Sequence, residues 1–314
     1  MLEAVHVGSQ GFSPRTRSDA EVIRMGADAG RIALRGYRGG SPVELDVTLQ
    51  LKAGKRAKVN GAPLRAAEQL RSEVAALVFT PDRLSIVKGA PVVRRAYFDR
   101  TLGRLFPARA SLSVEYAAAV GQRNAALRRV ATGLSTRDAL APWTERVAEL
   151  GATLVEARTE SLARLATPFA AHADALGLST GALDYQGEAP TVEELEARLP
   201  RDLERGVTGA GPHLHDVAIL AGDRDLRRFG SQGEQRVAVL ALLLGEAELL
   251  SERSVPPLLL LDDVLSELDE TRRRTLAQRI RLVGQSLVTA TSADALPTDA
   301  DQLIEVSPGM ARAA

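Results

Sequence analysis

Leu258-Leu259-Leu260-Leu261-Asp262-Asp263-Val264-Leu265-Ser266-Glu267-Leu268-Asp269 is the stretch that decides how this chain folds. Four consecutive leucines predict a short strand buried on both faces, as at the centre of a parallel sheet. Ligands in open α/β sheets sit beyond the carboxyl ends of such strands, and this end carries two adjacent carboxylates. Asp262 and Asp263 repel each other unless a cation or hydrogen-bond donors intervene. Magnesium suits the position, because it prefers oxygen ligands and retains several waters. The plainer alternative is that one aspartate only caps the turn before Ser266.

Upstream, Ser231-Gln232-Gly233-Glu234-Gln235-Arg236 opens a helix. Ser231 and Glu234, three positions apart, have the spacing of a capping box. A helix start also offers free N–H groups and a positive dipole end, which attract phosphate. Gly233 removes a side chain where a ligand needs close approach. Both readings of this tip stay open. Val237, Val239, Leu240, Leu242, Leu243 and Leu244 leave the helix no polar face, so its body is expected to be buried and only its tip available.

Residues 1 to 82 read mainly as strands. Val43, Leu45, Val47, Leu49 and Leu51 alternate with polar residues, the period of a half-buried strand. Lys55 to Gly61, with Asn60-Gly61, reads as a hairpin turn and its return strand. Ala75 to Phe79 is a short buried strand closed by Thr80-Pro81-Asp82. From Leu140 to Phe169 apolar residues recur at spacings near three and four, predicting a long amphipathic helix with a narrow seam. Helices over 91–105 and 112–132 are expected to pack on it. After about 206, strands over Leu214 to Leu220, Leu258 to Leu261, Leu287 to Ala290 and Leu303 to Val306 alternate with helices over Ser231 to Leu250 and Glu270 to Val283. That alternation implies an α/β fold with a largely parallel sheet. The expected organisation is a head lobe of residues 1–82 and 206–314 and a helical second lobe of residues 83–205.

The 314 residues carry 40 Lys plus Arg against 40 Asp plus Glu, so any nucleic-acid binding must come from a local patch. Absence of cysteine excludes disulfides and thiolate metal sites and fits a reducing cytosol. No apolar run is long enough for a membrane span and no signal peptide opens the chain, so a cytoplasmic protein without a membrane partner is expected. His213 and His215 flank Leu214 and would share one face of a strand, but two ligands make no metal site. Ordinary hydrogen-bonded histidines are the expectation. Arg94-Arg95, Arg123, Arg128-Arg129 and Arg272-Arg273-Arg274 are read as solvated helix faces. Lys52, Lys55, Arg56 and Lys58, crowded onto one hairpin, are the better candidates for nucleic-acid phosphate.

These residues resemble the RecF family of bacterial recombination mediators, whose ATPase head is similar to those of SMC and ABC proteins. The motifs are Phe229-Gly230-Ser231-Gln232-Gly233-Glu234-Gln235-Arg236 and the run from Leu258 to Asp269. Phe79 to Leu84, Lys88 to Pro91, Arg94 to Asp99 and Gly11 to Thr16 extend the resemblance over essentially the whole chain. The resemblance implies an ABC/SMC-type head with a helical insertion lobe. It implies ATP and Mg2+ as cofactors and an ATP-bound homodimer that clamps double-stranded DNA beside single-stranded gaps. It further implies the mediators RecO and RecR as partners and a place in the SOS response. Asp262 would hold magnesium through water, and Asp263 would orient the attacking water. Ser231, Gln232, Gly233 and Glu234 would form the tip that meets the partner subunit's nucleotide. Asp269 would belong to the loop at the dimer interface, and Thr289 or Thr291 would sense the γ-phosphate.

Two departures accompany the resemblance. The family's Gly-Pro-His-Arg-Asp-Asp is Gly211-Pro212-His213-Leu214-His215-Asp216 here, so any role of that arginine is left open in this chain. No Gly-x-x-x-x-Gly-Lys-Ser/Thr phosphate loop occurs in the 314 residues. By the family pattern its lysine falls about three residues before Met1, and a wrongly chosen start codon is the expectation. The competing readings are a shortened protein that binds DNA or a partner without hydrolysing ATP, and an ABC ATPase head of another family.

Overall fold

Helix α1 (Leu2–Gln10) begins the chain and ends at Gly11 in the left-handed conformation, φ 79°. A Cβ there would stand 2.5 Å from the Ala67 carbonyl oxygen, so the turn requires glycine. Four strands follow: β1 (Ala29–Arg38), β2 (Ser41–Gln50), β3 (Gly54–Val59) and β4 (Ala62–Pro63), antiparallel in that order. The expected alternation is present, with Leu45, Val47 and Leu49 buried against Val7 of α1, Ala57 and Leu70. Asn60 and Gly61, at φ 49° and 82°, turn the β3–β4 hairpin, the geometry that favours Asn-Gly. Strand β5 (Ala76–Phe79) is buried throughout. Residues 1–28 hold α1, a 3-10 turn over Asp19–Val22 and loops rather than the expected strands, and the first strand begins at Ala29.

The computed structural model describes residues 1–253, 255–292 and 300–313. They fall into two units, Met1–Arg83 with Leu243–Ala314, and Leu84–Leu242. The second unit holds α2 (Ser85–Lys88), which the sequence reading does not include, and α3 (Pro91–Leu105), α4 (Leu112–Ala131) and the long α5 (Ala141–Ala175), these three close to the expected bounds. Val147, Leu150, Leu154, Ala157, Leu162, Leu165 and Phe169 of α5 are buried, and α3 and α4 pack on this helix. Then come β6 (Gly181–Gln186), α6 (Val192–Ala197), α7 (Leu199–Arg205), β7 (Asp216–Ala221), β8 (Arg224–Asp225), α8 (Leu226–Phe229) and the start of α9 (Gln232–Arg253). Residues 206–242, read from the sequence with the head, pack in this unit. Strand β7, expected in the parallel sheet, instead pairs antiparallel with β6 and β8.

Arg94, Arg123 and Arg158 of the second unit are buried, contrary to a solvated-face reading of Arg94 and Arg123. Arg94 makes two hydrogen bonds to Asp216, at 2.8 and 2.6 Å, and two more to the Val87 and Gly89 carbonyls. Arg123, 0% exposed, donates to Asp202 at 2.8 Å and to Thr208 at 2.9 Å. Arg158 holds Asp99 at 2.7 and 2.9 Å and donates to the Pro212 carbonyl at 2.8 Å. His213 and His215 lie before β7 rather than on it. The Nε2–H of His213 donates to the Thr208 carbonyl at 3.0 Å, leaving Nδ1 to accept from the Tyr116 hydroxyl at 2.8 Å. His215 Nδ1 lies 2.8 Å from the Tyr185 hydroxyl. Burial lowers the pKa of both rings. They are hydrogen-bonded structural histidines, as expected.

In the first unit β9 (Leu258–Leu261), α10 (Glu270–Leu282) and β10 (Ser286–Val288) complete the pattern. The sheet runs β10-β9-β5 and is parallel throughout. Strand β11 (Ile304–Ser307) does not join it. It pairs antiparallel with β12 (Met310–Ala313) in an exposed hairpin.

Candidate functional site

Leu259, Leu260 and Leu261 are fully buried, and the two aspartates stand where this central strand ends. Asp262 N–H donates to the Phe79 carbonyl at 2.9 Å, and Thr289 N–H donates to the Leu261 carbonyl at 2.9 Å. These bonds carry both parallel ladders one step past the strands. At Asp263 the backbone takes φ 50°, a left-handed conformation that costs a non-glycine residue about 1–2 kcal/mol. The turned Asp263 N–H donates to Thr289 Oγ1 at 3.0 Å, and that hydroxyl donates to Asp262 Oδ1 at 2.9 Å. One threonine hydroxyl therefore holds the turn and aims the first carboxylate.

The other Asp262 oxygen, Oδ2, accepts a hydrogen bond from the Arg15 guanidinium. The carboxylate raises the Arg15 pKa through that bond and its charge. The loop that carries Arg15 is locally built. Ser13 donates to Glu3 of α1 and accepts the backbone N–H groups of Arg15 at 3.0 Å and Thr16 at 3.2 Å. His6 donates from Nδ1 to the Phe12 carbonyl at 2.8 Å, and burial lowers its pKa. After β5 come Thr80, Pro81 and Asp82, which with Arg15, Asp262, Asp263, Thr289, Ala290 and Thr291 line a cleft of about 600 Å³.

Asp262, Asp263, Thr289 and Thr291, four of the residues singled out in the sequence, thus share one cleft. Arg15, Thr80 and Asp82 join them without having been assigned a role, although Gly11 to Thr16 and Phe79 to Leu84 stand out as motifs. Among the described residues no three His, Cys, Asp or Glu side chains converge to cage a metal. Three carboxylates lining an open cleft suit a cation of magnesium's type, held by one or two of them with water and phosphate oxygens filling the remainder.

The tip of α9 lies in the other unit. Ser231 N–H donates to Glu234 Oε2 at 2.7 Å, and Glu234 N–H donates to Ser231 Oγ at 3.2 Å, so the capping box is formed. Arg224 donates to Glu234 at 2.8 Å, and this bond with the Ser231 amide lowers the Glu234 pKa to about 2. Ser231 and Gln232 are exposed, Gly233 and Glu234 half-buried, and everything from Gln235 to Ala247 is buried. Asp269 caps α10 by accepting the Arg272 N–H at 2.9 Å. On the basic hairpin, Lys52, Arg56 and Lys58 are exposed. Lys55 does not join them: it points to the inner side of β3 and pairs with Asp19 at 3.1 Å.

No protein-family model matches the chain. The DNA replication and repair protein RecF of Heliobacterium modesticaldum is 34% identical over 296 residues, covering 89% of this chain and 79% of the relative. The chain belongs to the RecF family. RecF of Bacillus subtilis is 33% identical over 318 residues, covering 94% of this chain and 84% of its own. Among solved structures, the recombination mediator RecF-ATP in the RecFOR pathway superposes with a TM-score of 0.84 at 26% identity, over 100% of this chain and 87% of that one. The Smc head domain of Pyrococcus yayanosii, at 13% identity and a TM-score of 0.59 over 100% of this chain and 89% of that one, shares the fold. The RecF family is one of DNA replication and repair proteins with an SMC-like head, and it takes precedence here over another ABC family. No helix among the described residues is long and apolar enough to cross a membrane.

Proposed function

We propose that this chain is a cytoplasmic RecF-type ATPase head that binds ATP and Mg2+, dimerises in the ATP-bound state and clamps duplex DNA beside single-stranded gaps, working with RecO and RecR. The observation that carries the reading is the Asp262–Thr289–Asp263 arrangement at the carboxyl end of β9, where open α/β sheets bind their ligands. Asp262 would hold the magnesium ion through water. Bound there, the ion supplies positive charge against phosphate oxygens. Asp263 orients the attacking water, and Thr289 and Thr291 line the same cleft. Exposed Ser231 and Gln232, with Gly233 and Glu234, offer the α9 tip to the nucleotide of a second copy. Asp269 lies in the loop assigned to the dimer interface. Lys52, Arg56 and Lys58 give the duplex backbone a local cationic patch on a chain of zero net charge.

The 314 residues contain no glycine-rich phosphate loop, so the test uses this chain preceded by such a segment, beside the 314 residues alone. With the segment, affinity for duplex should rise with ATP and fall steeply with salt. Asp263→Asn should keep the ATP-held dimer, seen by light scattering, and slow phosphate release by roughly 10²- to 10⁴-fold. Duplex binding indifferent to ATP, or near-normal single-turnover hydrolysis by Asp263→Asn, would overturn the reading.

A further inference from the structure

Both oxygens of Asp262 already carry donors: Thr289 on Oδ1 and Arg15 on Oδ2. The two donors differ in kind. Thr289 belongs to the neighbouring strand end and also holds the Asp263 amide, so moving it would undo the turn. Arg15 comes from a loop 247 residues away in sequence, its side chain is 56% exposed against 15% for Asp262, and no ladder bond depends on its guanidinium. It is the donor that can leave. A guanidinium and a divalent ion at one carboxylate repel each other, so they compete for the same charge.

We propose that Arg15 is a placeholder cation, which neutralises Asp262 until a divalent ion displaces it and thereby sets how much divalent ion the cleft needs. The proposal rests on the reading of Asp262 as a cation holder. Asp82, lining the same cleft, already attracts Arg15 electrostatically and is the next acceptor for the displaced guanidinium. The placeholder spares the protein an uncompensated negative charge beside Asp263 when no ion is bound, since like charges repel.

Mn2+ is the probe, followed by the loss of its free-ion electron paramagnetic resonance signal in nucleotide-free protein. Asp262→Asn identifies the binding that depends on Asp262. Arg15→Gln, which removes charge but keeps hydrogen-bonding capacity, should tighten that binding about three- to tenfold, as removal of one half-exposed like charge predicts. Arg15→Lys, which keeps the charge, should stay within about twofold of the parent. Circular dichroism checks that each variant is folded. Unchanged or weaker Mn2+ binding by Arg15→Gln, with Asp262→Asn still abolishing it, overturns the placeholder and leaves the cation reading standing. Mn2+ binding that ignores Asp262→Asn removes the cation reading itself, and the placeholder with it.

Discussion

Thr289→Val is the substitution with the most to say about how the site is built. Valine keeps the shape and β-branching of threonine, and its χ1 preference suits the end of β10. It removes a single hydroxyl that does two things: it accepts the Asp263 N–H at 3.0 Å and donates to Asp262 Oδ1 at 2.9 Å. A neutral bond of this kind contributes about 1 kcal/mol net, and one to a charged group about 1.5–3 kcal/mol. Asp262 keeps Arg15 and some solvent access, which puts the second bond at the low end. The total loss is then about 2.5 kcal/mol, or roughly 5–10 °C in melting temperature for a unit of about 150 residues. Thermal melting by circular dichroism, with Thr289→Ser as the hydroxyl-retaining control, measures it. Serine should recover most of the loss. If valine melts within about 1 °C of the parent, or serine falls as far as valine, the hydroxyl does not hold the turn.

Asp263→Gly should stabilise the fold by up to about 1 kcal/mol, read as a shifted urea midpoint, because glycine adopts φ 50° without strain. The carboxylate of Glu234, lowered to about 2 by Arg224 and the Ser231 amide, contributes stability that is fully present above its unfolded value near 4.5 and is lost as pH falls toward 2. Denaturant midpoints at pH 6 and pH 3 should therefore converge in Glu234→Gln relative to the parent, while Ser231→Ala should cost about 0.5–2 kcal/mol at pH 6. Arg123→Ala should cost about 3–5 kcal/mol by leaving the Asp202 carboxylate buried and unpaired. Replacing both partners by apolar residues should cost much less by the same denaturation assay.

Elements built from local pattern were legible in the sequence. The four leucines of β9, the seam of α5 and the capping box at Ser231 each declare themselves within a few residues, since periodicity and caps are local properties. Pairing between distant segments was not. Strand β6 follows a 35-residue helix and nothing in its six residues names its partner, so the sequence alone does not separate β7 from the parallel sheet. The Ile304–Ser307 strand has the composition of a closing strand and still folds back on Met310–Ala313 instead. The buried arginines escaped notice for a related reason. Arg94 meets its acid 122 residues away and Arg123 meets its own at 79, and without those partners an arginine on a helix reads as solvated. Asp262 and Asp263 could be placed at a strand end, yet Arg15 could not be placed beside them. That contact is set by the tertiary course of a loop whose own sequence, Ser13-Pro14-Arg15, shows only a turn.

The segment from Thr208 to Asp216 is strapped down by Arg94, Arg123 and Arg158, and its two histidines are locked to tyrosines. Between those histidines Leu214 is 56% exposed. Folding information is thus concentrated in its neighbours, and position 214 is left almost silent to the fold. Such a position can change its chemistry in a single mutational step without a compensating change elsewhere. Exchange of Leu214 for a polar or charged side chain is therefore open at little structural cost, because the backbone on either side is held by other residues.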